Sequence, residues 1–257
     1  MSEKTQVLTG SLSGASTRPA PRIECWLPPE GQRSGIGLII FPGGGYGGLA
    51  EHEGKGYAEF FVQHGVSCFV VTYRLGSQGF RHPAMIEDAL AAVCTVRQRA
   101  AEFGVSPNRI GVMGSSAGGH LTAHTLVDYG RLKGPVSLRP DFGVLCYPVV
   151  TMLDPFTHAG SRANLLGAEA KEEAWRAVSP ELLVTRETPP AFLWHTWDDG
   201  AVPVENSLLF AAALRRNGVP FELHIYPAGR HGLGLNTEYP WGRDCARWMQ
   251  QCCMQGK

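Results

Sequence analysis

Three stretches of the sequence carry the side chains that nucleophilic catalysis requires. Ser116 lies in Gly-Ser-Ser-Ala-Gly, which fits the pattern G-x-S-x-G; the adjacent Asp198 and Asp199 follow, and His231 comes last. A serine hydroxyl becomes an effective nucleophile when a histidine removes its proton and a carboxylate orients that histidine. The residue types and their order therefore predict Ser116 as the nucleophile and His231 as its base.

The surroundings of Ser116 favour the same interpretation. An apolar run over residues 109–113 predicts a strand directly before the motif, and a helix can run from 117 to about 129. A serine on a sharp turn from strand to helix needs small neighbours, because larger side chains would collide with nearby backbone. A plain Gly-Ser turn between a strand and a helix is the alternative.

The acid that orients His231 is expected to be one of two adjacent aspartates. Asp198 and Asp199 follow a β-rich run over residues 191–196. Two neighbouring side chains point to different sides, so only one of them can bond to the histidine, and the pattern alone leaves the choice open. The other aspartate is then an ordinary turn or N-cap residue.

A glycine run provides candidate donors for an oxyanion hole. Gly43, Gly44 and Gly45 follow the apolar residues 37–41, and their lack of side chains lets backbone N–H groups approach a substrate oxygen. The amide of Ala117, directly after the nucleophile, is the other expected donor. A phosphate- or dinucleotide-binding loop is the alternative. Against this alternative, no Walker lysine follows the glycines and no acidic residue stands at the end of the next predicted strand.

Short β-rich runs alternate with helical stretches along the chain. This alternation predicts an α/β fold with a mostly parallel sheet and helices on both faces, whose ligand lies beyond the carboxyl ends of the strands. Residues 151–189 look irregular, with one short helix near 171–178. The predicted strands cover 37–41, 67–73, 109–113, 142–150, 191–196 and 221–226, and the other predicted helices cover 53–63, 84–103, 117–129, 204–216 and 241–252.

Composition argues against several classes of partner. The 257 residues hold 23 Lys+Arg and 23 Asp+Glu, and this balance argues against nucleic acid and anionic membranes as partners. No apolar run reaches the ~18 residues of a membrane span.

Seven cysteines without CxxC spacing, and a start without a signal-peptide pattern, predict reduced thiols in a cytoplasmic protein. Residues 1–20 are polar and expected to be loose, and 21–257 are expected to form one domain.

A metal site is the alternative use of two histidines in the helix after the motif. His120 and His124 have the spacing of HExxH, but Leu121 takes the place of the glutamate and no third ligand is evident. We therefore expect neither a metal nor an organic cofactor.

In combination, four stretches resemble the α/β-hydrolases, and among them the small esterase-lipase-like enzymes grouped around acetylxylan esterases and carbohydrate deacetylases. The resemblance runs from about residue 22 to residue 252, and the combination is far more specific than any single motif. The stretches are Phe41-Pro-Gly-Gly-Gly-Tyr46 with Glu51-His-Glu-Gly54, residues 110–121, residues 189–195 with Asp199 and Val202-Pro203, and residues 226–232.

The resemblance implies an α/β-hydrolase fold with a short or absent lid and a Ser-Asp-His triad. It selects Asp199 over Asp198, because the acid of this group stands three residues before a valine, here Val202. It thus implies Ser116, Asp199 and His231 as the catalytic residues.

The resemblance also implies that the oxyanion donors are the amides of Ala117 and of Gly44 or Gly45. Many relatives carry a histidine where this chain has Pro42. Because the donors are backbone groups, catalysis should survive this difference, but the glycine loop must be anchored in another way.

The activity implied by the resemblance is that of a serine esterase acting through an acyl-enzyme. Its expected substrate is a small molecule with a short acyl group, an acetylated sugar being favoured, and Tyr46, Ser115 and Trp197 are expected to contact it. An arylformamidase of the kynurenine formamidase kind and a small peptidase are alternatives. From another class, a non-catalytic hydrolase fold that binds a ligand or partner also remains open.

Overall fold

A central sheet of eight strands organises the structure, a computed structural model that describes residues 4–10, 12, 14–15 and 19–255. These strands are β1 (Lys4–Thr9), β2 (Arg22–Trp26), β3 (Gly37–Phe41), β4 (Ser67–Thr72), β5 (Ile110–Ser115), β6 (Phe142–Cys146), β7 (Ala191–Thr196) and β8 (Phe221–Tyr226). They lie in the order β1-β2-β4-β3-β5-β6-β7-β8. The pairs β1–β2 and β2–β4 are antiparallel and all other pairs are parallel, which confirms the predicted mostly parallel sheet.

Helices cover both faces of this sheet, as predicted. Strand β3 shows why: its side chains alternate, so that Leu38 and Ile40 pack into one apolar cluster and Ile39 and Phe41 into another on the opposite face. The helices are α1 (Glu51–Val62), α2 (Ala84–Gln98), α3 (Ser116–Val127), α4 (Ala159–Leu166), α5 (Glu172–Ala177), α6 (Glu205–Arg216) and α7 (Trp241–Gln255), with 3₁₀ turns at Glu30–Gln32, Gly76–Gln78, Ala100–Phe103 and Pro180–Leu182.

Some predicted elements differ from those observed. The expectation of a loose segment over residues 1–20 is wrong for β1, which pairs with β2 and buries Leu8. Polar residues hide the strand in the sequence, but an edge strand can leave such residues in contact with solvent, as Gln6 and Thr9 are here. The strand predicted over 142–150 ends at Cys146, because Tyr147 has a left-handed φ of 34° and Pro148 has no N–H for the ladder. Helix α4 lies in the stretch predicted to be irregular.

The sheet topology brings two functional loops together. Strand β3 is the point where the strand order reverses, since β4 lies on one side of it and β5 on the other. Phe41 pairs with Gly114, so the glycine loop leaves β3 beside the turn at Ser116. Such a reversal opens a crevice at the carboxyl edge of the sheet. Within the described residues, no helix is both long enough and apolar enough to span a bilayer.

Candidate active site

Ser116 lies on a strained turn between β5 and α3. Its φ of 54° falls in the left-handed region, where non-glycine residues are uncommon. A side chain at Gly118 would collide with the carbonyl of Phe41, and one at Gly114 would collide with the carbonyl of Gly118. The predicted need for small residues on both sides of Ser116 is thereby confirmed. The turn places the hydroxyl at the amino end of α3, where the helix dipole favours negative charge.

Three side chains that are far apart in sequence form one hydrogen-bonded chain at this turn. His231 Nε2 lies 2.8 Å from Ser116 Oγ, and His231 Nδ1 lies 2.7 Å from Asp199 Oδ2. An aspartate on Nδ1 favours the tautomer with the proton on that atom, which leaves Nε2 free to accept the serine proton. The arrangement can therefore activate a hydroxyl as a nucleophile and return its proton to a leaving group.

The two adjacent aspartates differ in burial and in hydrogen-bond partners. Asp199 is 7% exposed, and its Oδ1 accepts hydrogen bonds from the amides of Ala201 and Val202 at 2.9 and 3.0 Å. Asp198 is exposed, and its Oδ1 accepts from the Gly229 amide at 2.6 Å. Asp199 therefore faces the histidine, while Asp198 fastens the loop that leads to it.

A second histidine holds the carboxylate of Asp199 from behind. His195 is buried, donates from Nε2 to the Val202 carbonyl at 3.0 Å, and lies 3.4 Å from Asp199 Oδ2. Burial alone would raise the pKa of Asp199, but hydrogen bonds from His195, His231 and the Val202 amide outweigh it. The pKa of this carboxyl is consequently held well below its usual range, so Asp199 is ionised at neutral pH.

The glycine loop presents unoccupied amides beside the turn at Ser116. Gly44 and Gly45 have φ values of 131° and 63°, which glycine adopts without strain. A Cβ on Gly43 would lie 3.1 Å from that of Ser116, so loop and turn are in close approach. No backbone hydrogen bond among the described residues uses the Gly44 or Gly45 amide. These amides, and that of Ala117 in the first turn of α3, are free to bind an oxyanion.

Residues 38–235 match the model of the family described as alpha/beta hydrolase fold. The chain belongs to the α/β-hydrolase fold family. The matched segment contains every residue of the candidate site, from the glycine loop to the loop of His231.

Several relatives of this α/β-hydrolase are esterases or glycosidases. The solved structure of an acetyl ester-xyloside bifunctional hydrolase from Caldicellulosiruptor lactoaceticus is 42% identical and covers 91% of this chain and 89% of its own, with a TM-score of 0.85. An acetylxylan esterase of Xylanibacter ruminicola is 32% identical over 88% of this chain and 47% of its own length. An endo-1,4-beta-xylanase B of Butyrivibrio fibrisolvens is 37% identical over 79% and 33%. The chain thus spans less than half the length of these two curated relatives.

The expected substrate contacts of Tyr46 and Ser115 are wrong for their side chains. Tyr46 is fully buried, and its hydroxyl donates to His120 Nδ1 at 2.7 Å. Ser115 is fully buried as well, and its Oγ lies 2.8 Å from the Tyr57 hydroxyl. Both side chains therefore brace the α/β-hydrolase site from inside. Trp197 by contrast is 69% exposed, two residues before Asp199, and stays a candidate contact.

His120 accepts the hydrogen bond from Tyr46, and its burial predicts a fold that loses stability in acid. It is buried and donates from Nε2 to the Val178 carbonyl, and burial together with the nearby His124 lowers its pKa to about 3. In the unfolded chain a histidine titrates near 6.5. Below that pH the unfolded chain binds a proton at this position and the folded chain does not, so the contribution of His120 to stability is complete above pH 6.5 and is lost as the pH falls towards 3.

We expect the free energy of unfolding of the wild-type protein to drop by about 2 to 3 kcal/mol through His120 alone between pH 7 and pH 4.5. Urea unfolding of the wild type and of His120→Asn at both pH values measures this contribution. The asparagine variant should lose less stability on acidification. Equal losses in the two proteins would contradict the prediction.

Helix α4 and its N-cap residue contribute two side chains that sequence reasoning missed. Asn164 Nδ2 donates to the Gly45 carbonyl at 2.8 Å and so fixes the loop that carries the free amides. His158 caps α4 by accepting from the Ser161 amide, and its Cε1 lies 3.9 Å from where a Cβ of Gly45 would be. Burial lowers the pKa of His158, and the neighbouring His231 lowers it further. A neutral imidazole therefore flanks the glycine loop. The mixed polar sequence of α4 gave no signal for either contact.

The described residues hold no group of three or more His, Cys, Asp or Glu side chains that could bind a metal ion. His120 and His124 have other partners: His120 bonds to Tyr46 and Val178, and His124 lies 3.4 Å from Asp128. Their spacing of four residues is thus used for packing and local pairing.

Proposed function

We propose that this protein is a serine esterase that removes short acyl groups, acetyl foremost, from carbohydrates. The observation that carries the proposal is the hydrogen-bonded chain from Ser116 through His231 to Asp199, set beside a loop of free glycine amides. The names of the relatives support the substrate class, since an acetylxylan esterase and an acetyl ester-xyloside hydrolase are among them. The substrate is then a small acetylated sugar.

The proposed reaction passes through an acyl-enzyme. Ser116 Oγ attacks the ester carbonyl while His231 Nε2 takes its proton, and the resulting oxyanion accepts hydrogen bonds from Ala117 and from Gly44 or Gly45. His231 then protonates the departing sugar oxygen, and acetyl-Ser116 remains. Water, activated by the same histidine, releases acetate and restores the free hydroxyl. Each amide donor is expected to contribute about 100- to 1000-fold to the rate.

An ester panel tests the proposal. We expect kcat/KM for p-nitrophenyl acetate to exceed that for the octanoate ester by at least about tenfold, because a short acyl pocket discriminates against added methylenes. Acetylated xylo-oligosaccharides should release acetate. The Ser116→Ala protein, purified in parallel, accounts for contaminating esterases.

Two outcomes would reject the substrate class. A preference for the octanoate ester would exclude a short-acyl esterase, and faster turnover of N-formylkynurenine than of every acetate ester would indicate a formamidase. In either case Ser116 could still be the nucleophile, because labelling of Ser116 by a fluorophosphonate does not depend on the acyl group of the substrate.

A further inference from the structure

A buried carboxylate beside the proposed active site takes no part in the chemistry described so far. Glu53 lies in the first turn of α1 and is 3% exposed. Its Oε2 accepts a hydrogen bond from the Gly43 amide at 2.9 Å, and its Oε1 accepts one from the Tyr147 hydroxyl at 2.7 Å. The nearest histidine nitrogen, His52 Nε2, lies 3.8 Å away on a mostly exposed side chain. Such burial is costly unless both oxygens are hydrogen-bonded, as they are here.

The Glu53 carboxylate fixes the direction of a chain of hydroxyl groups. Tyr147 has one proton, which it donates to Glu53, so its oxygen can only accept from the Tyr57 hydroxyl 3.1 Å away. Tyr57 in turn accepts from Ser115, whose Oγ lies 2.8 Å away. Burial raises the pKa of Tyr57 and of Tyr147 well above 10, so both phenols keep their protons. These hydrogen bonds therefore all run in one direction, with each hydroxyl donating to the next from Ser115 towards Glu53.

This network reaches all three loops of the proposed mechanism. Through Gly43 it holds the glycine loop, and through Ser115 it holds the residue before the nucleophile. The Tyr147 hydroxyl also accepts from the Gly234 amide at 2.9 Å, three residues after His231. The ring of Tyr147 packs edge-on against the His231 ring, with centroids 5.1 Å apart. One acceptor on α1 thus connects the oxyanion loop, the nucleophile turn and the histidine loop.

We propose that Glu53 is a positioning residue that holds the oxyanion loop and the His231 loop in register with Ser116. The proposal rests on the proposed esterase function. It also supplies the anchor for the glycine loop in a chain with Pro42 before the glycines, because Glu53 bonds directly to the loop amide.

Loss of Glu53 removes the acceptor of two buried donors. In Glu53→Ala the Gly43 N–H and the Tyr147 hydroxyl are left to find new partners, so both loops are free to shift. A misplacement of about 1 Å at reacting groups costs about 100-fold in rate. Glutamine, by contrast, can accept from Gly43 with its oxygen and donate to Tyr147 with its amide, while Tyr147 turns its proton towards Tyr57. The two substitutions therefore separate loss of the acceptor from loss of charge.

The experiment compares Glu53→Ala, Glu53→Gln and Tyr147→Phe with the unmodified protein on p-nitrophenyl acetate. We expect kcat to fall about 100-fold in Glu53→Ala and about tenfold in Tyr147→Phe, with KM within about twofold of wild type. Glu53→Gln should retain kcat within about tenfold. Glu51→Ala, an exposed carboxylate of the same helical turn, is the matched control and should match the unmodified protein.

Thermal unfolding and the rate of fluorophosphonate labelling accompany each assay. If Glu53→Ala fails to fold, the kcat values of Tyr147→Phe and Glu53→Gln test the positioning role. Wild-type kcat in Tyr147→Phe, or a folded Glu53→Gln as impaired as Glu53→Ala, would overturn the positioning role. Failure of the esterase proposal is distinct: the unmodified protein would then neither turn over acetate esters nor react with the probe.

Discussion

Replacing Ser116 by alanine is expected to abolish covalent labelling by a fluorophosphonate and to lower kcat on aryl acetates by about six orders of magnitude. The alanine side chain has no oxygen to attack the carbonyl, and His231 loses the group whose proton it accepts at 2.8 Å. Free amides in the glycine loop can bind a carbonyl oxygen but cannot form the acyl bond. Gel fluorescence after probe treatment and initial-rate kinetics measure the two effects.

Ser106→Ala is the control for this prediction. Ser106 precedes β5, at the end of the sheet opposite Ser116, and should leave labelling and kcat unchanged. Equal labelling of Ser116→Ala and of the unmodified protein would remove Ser116 as the nucleophile. It would favour a non-catalytic binding module with a reactive group elsewhere.

The second large effect is expected from Asp199→Asn, which should lower kcat by about 10⁴-fold. The backbone decides how the new amide is oriented: Ala201 and Val202 both donate to Oδ1, so the asparagine oxygen occupies that position. The NH₂ group then faces His231 Nδ1 and forces the proton onto Nε2, where it blocks acceptance of the serine proton.

Asp198→Asn is the matched control on the neighbouring residue. Its oxygen can still accept from the Gly229 amide, so a loss of less than about tenfold is expected. Steady-state kinetics of both variants on one aryl acetate provide the comparison. A larger loss in Asp198→Asn than in Asp199→Asn would reverse the assignment of the acid.

Elements with a strong local apolar pattern were predictable from the sequence, and those stabilised by distant partners were not. The apolar residues 37–41 and 191–196 coincide with β3 and β7, because buried parallel strands read as continuous apolar runs. Strand β1 was not predicted, since its order depends on pairing with β2 rather than on its own composition. Helix α4 was missed for a similar reason: its contact with the glycine loop is a hydrogen bond from Asn164 to Gly45, 119 positions away in the sequence.

The candidate site shows the same division. Residue type and order were enough to select Ser116 and His231, and the family resemblance selected Asp199. The burial of individual side chains could not be predicted from the sequence. Tyr46 and Ser115 belong to motifs at the rim of the sheet, yet both side chains are fully buried. The role of Glu53 was equally hidden, because it depends on a hydrogen bond to Tyr147 across 94 positions of the chain.

The imidazole of His195 behind Asp199 has a consequence for turnover. In the proposed cycle His231 exchanges hydrogen-bond partners, from the serine hydroxyl to the departing alcohol to the incoming water. A carboxylate bonded to His231 alone would depend on the position of that ring. Because the amides of Ala201 and Val202 and the buried ring of His195 also hold Asp199, its position is fixed independently of His231, and both proposed half-reactions can start from the same geometry.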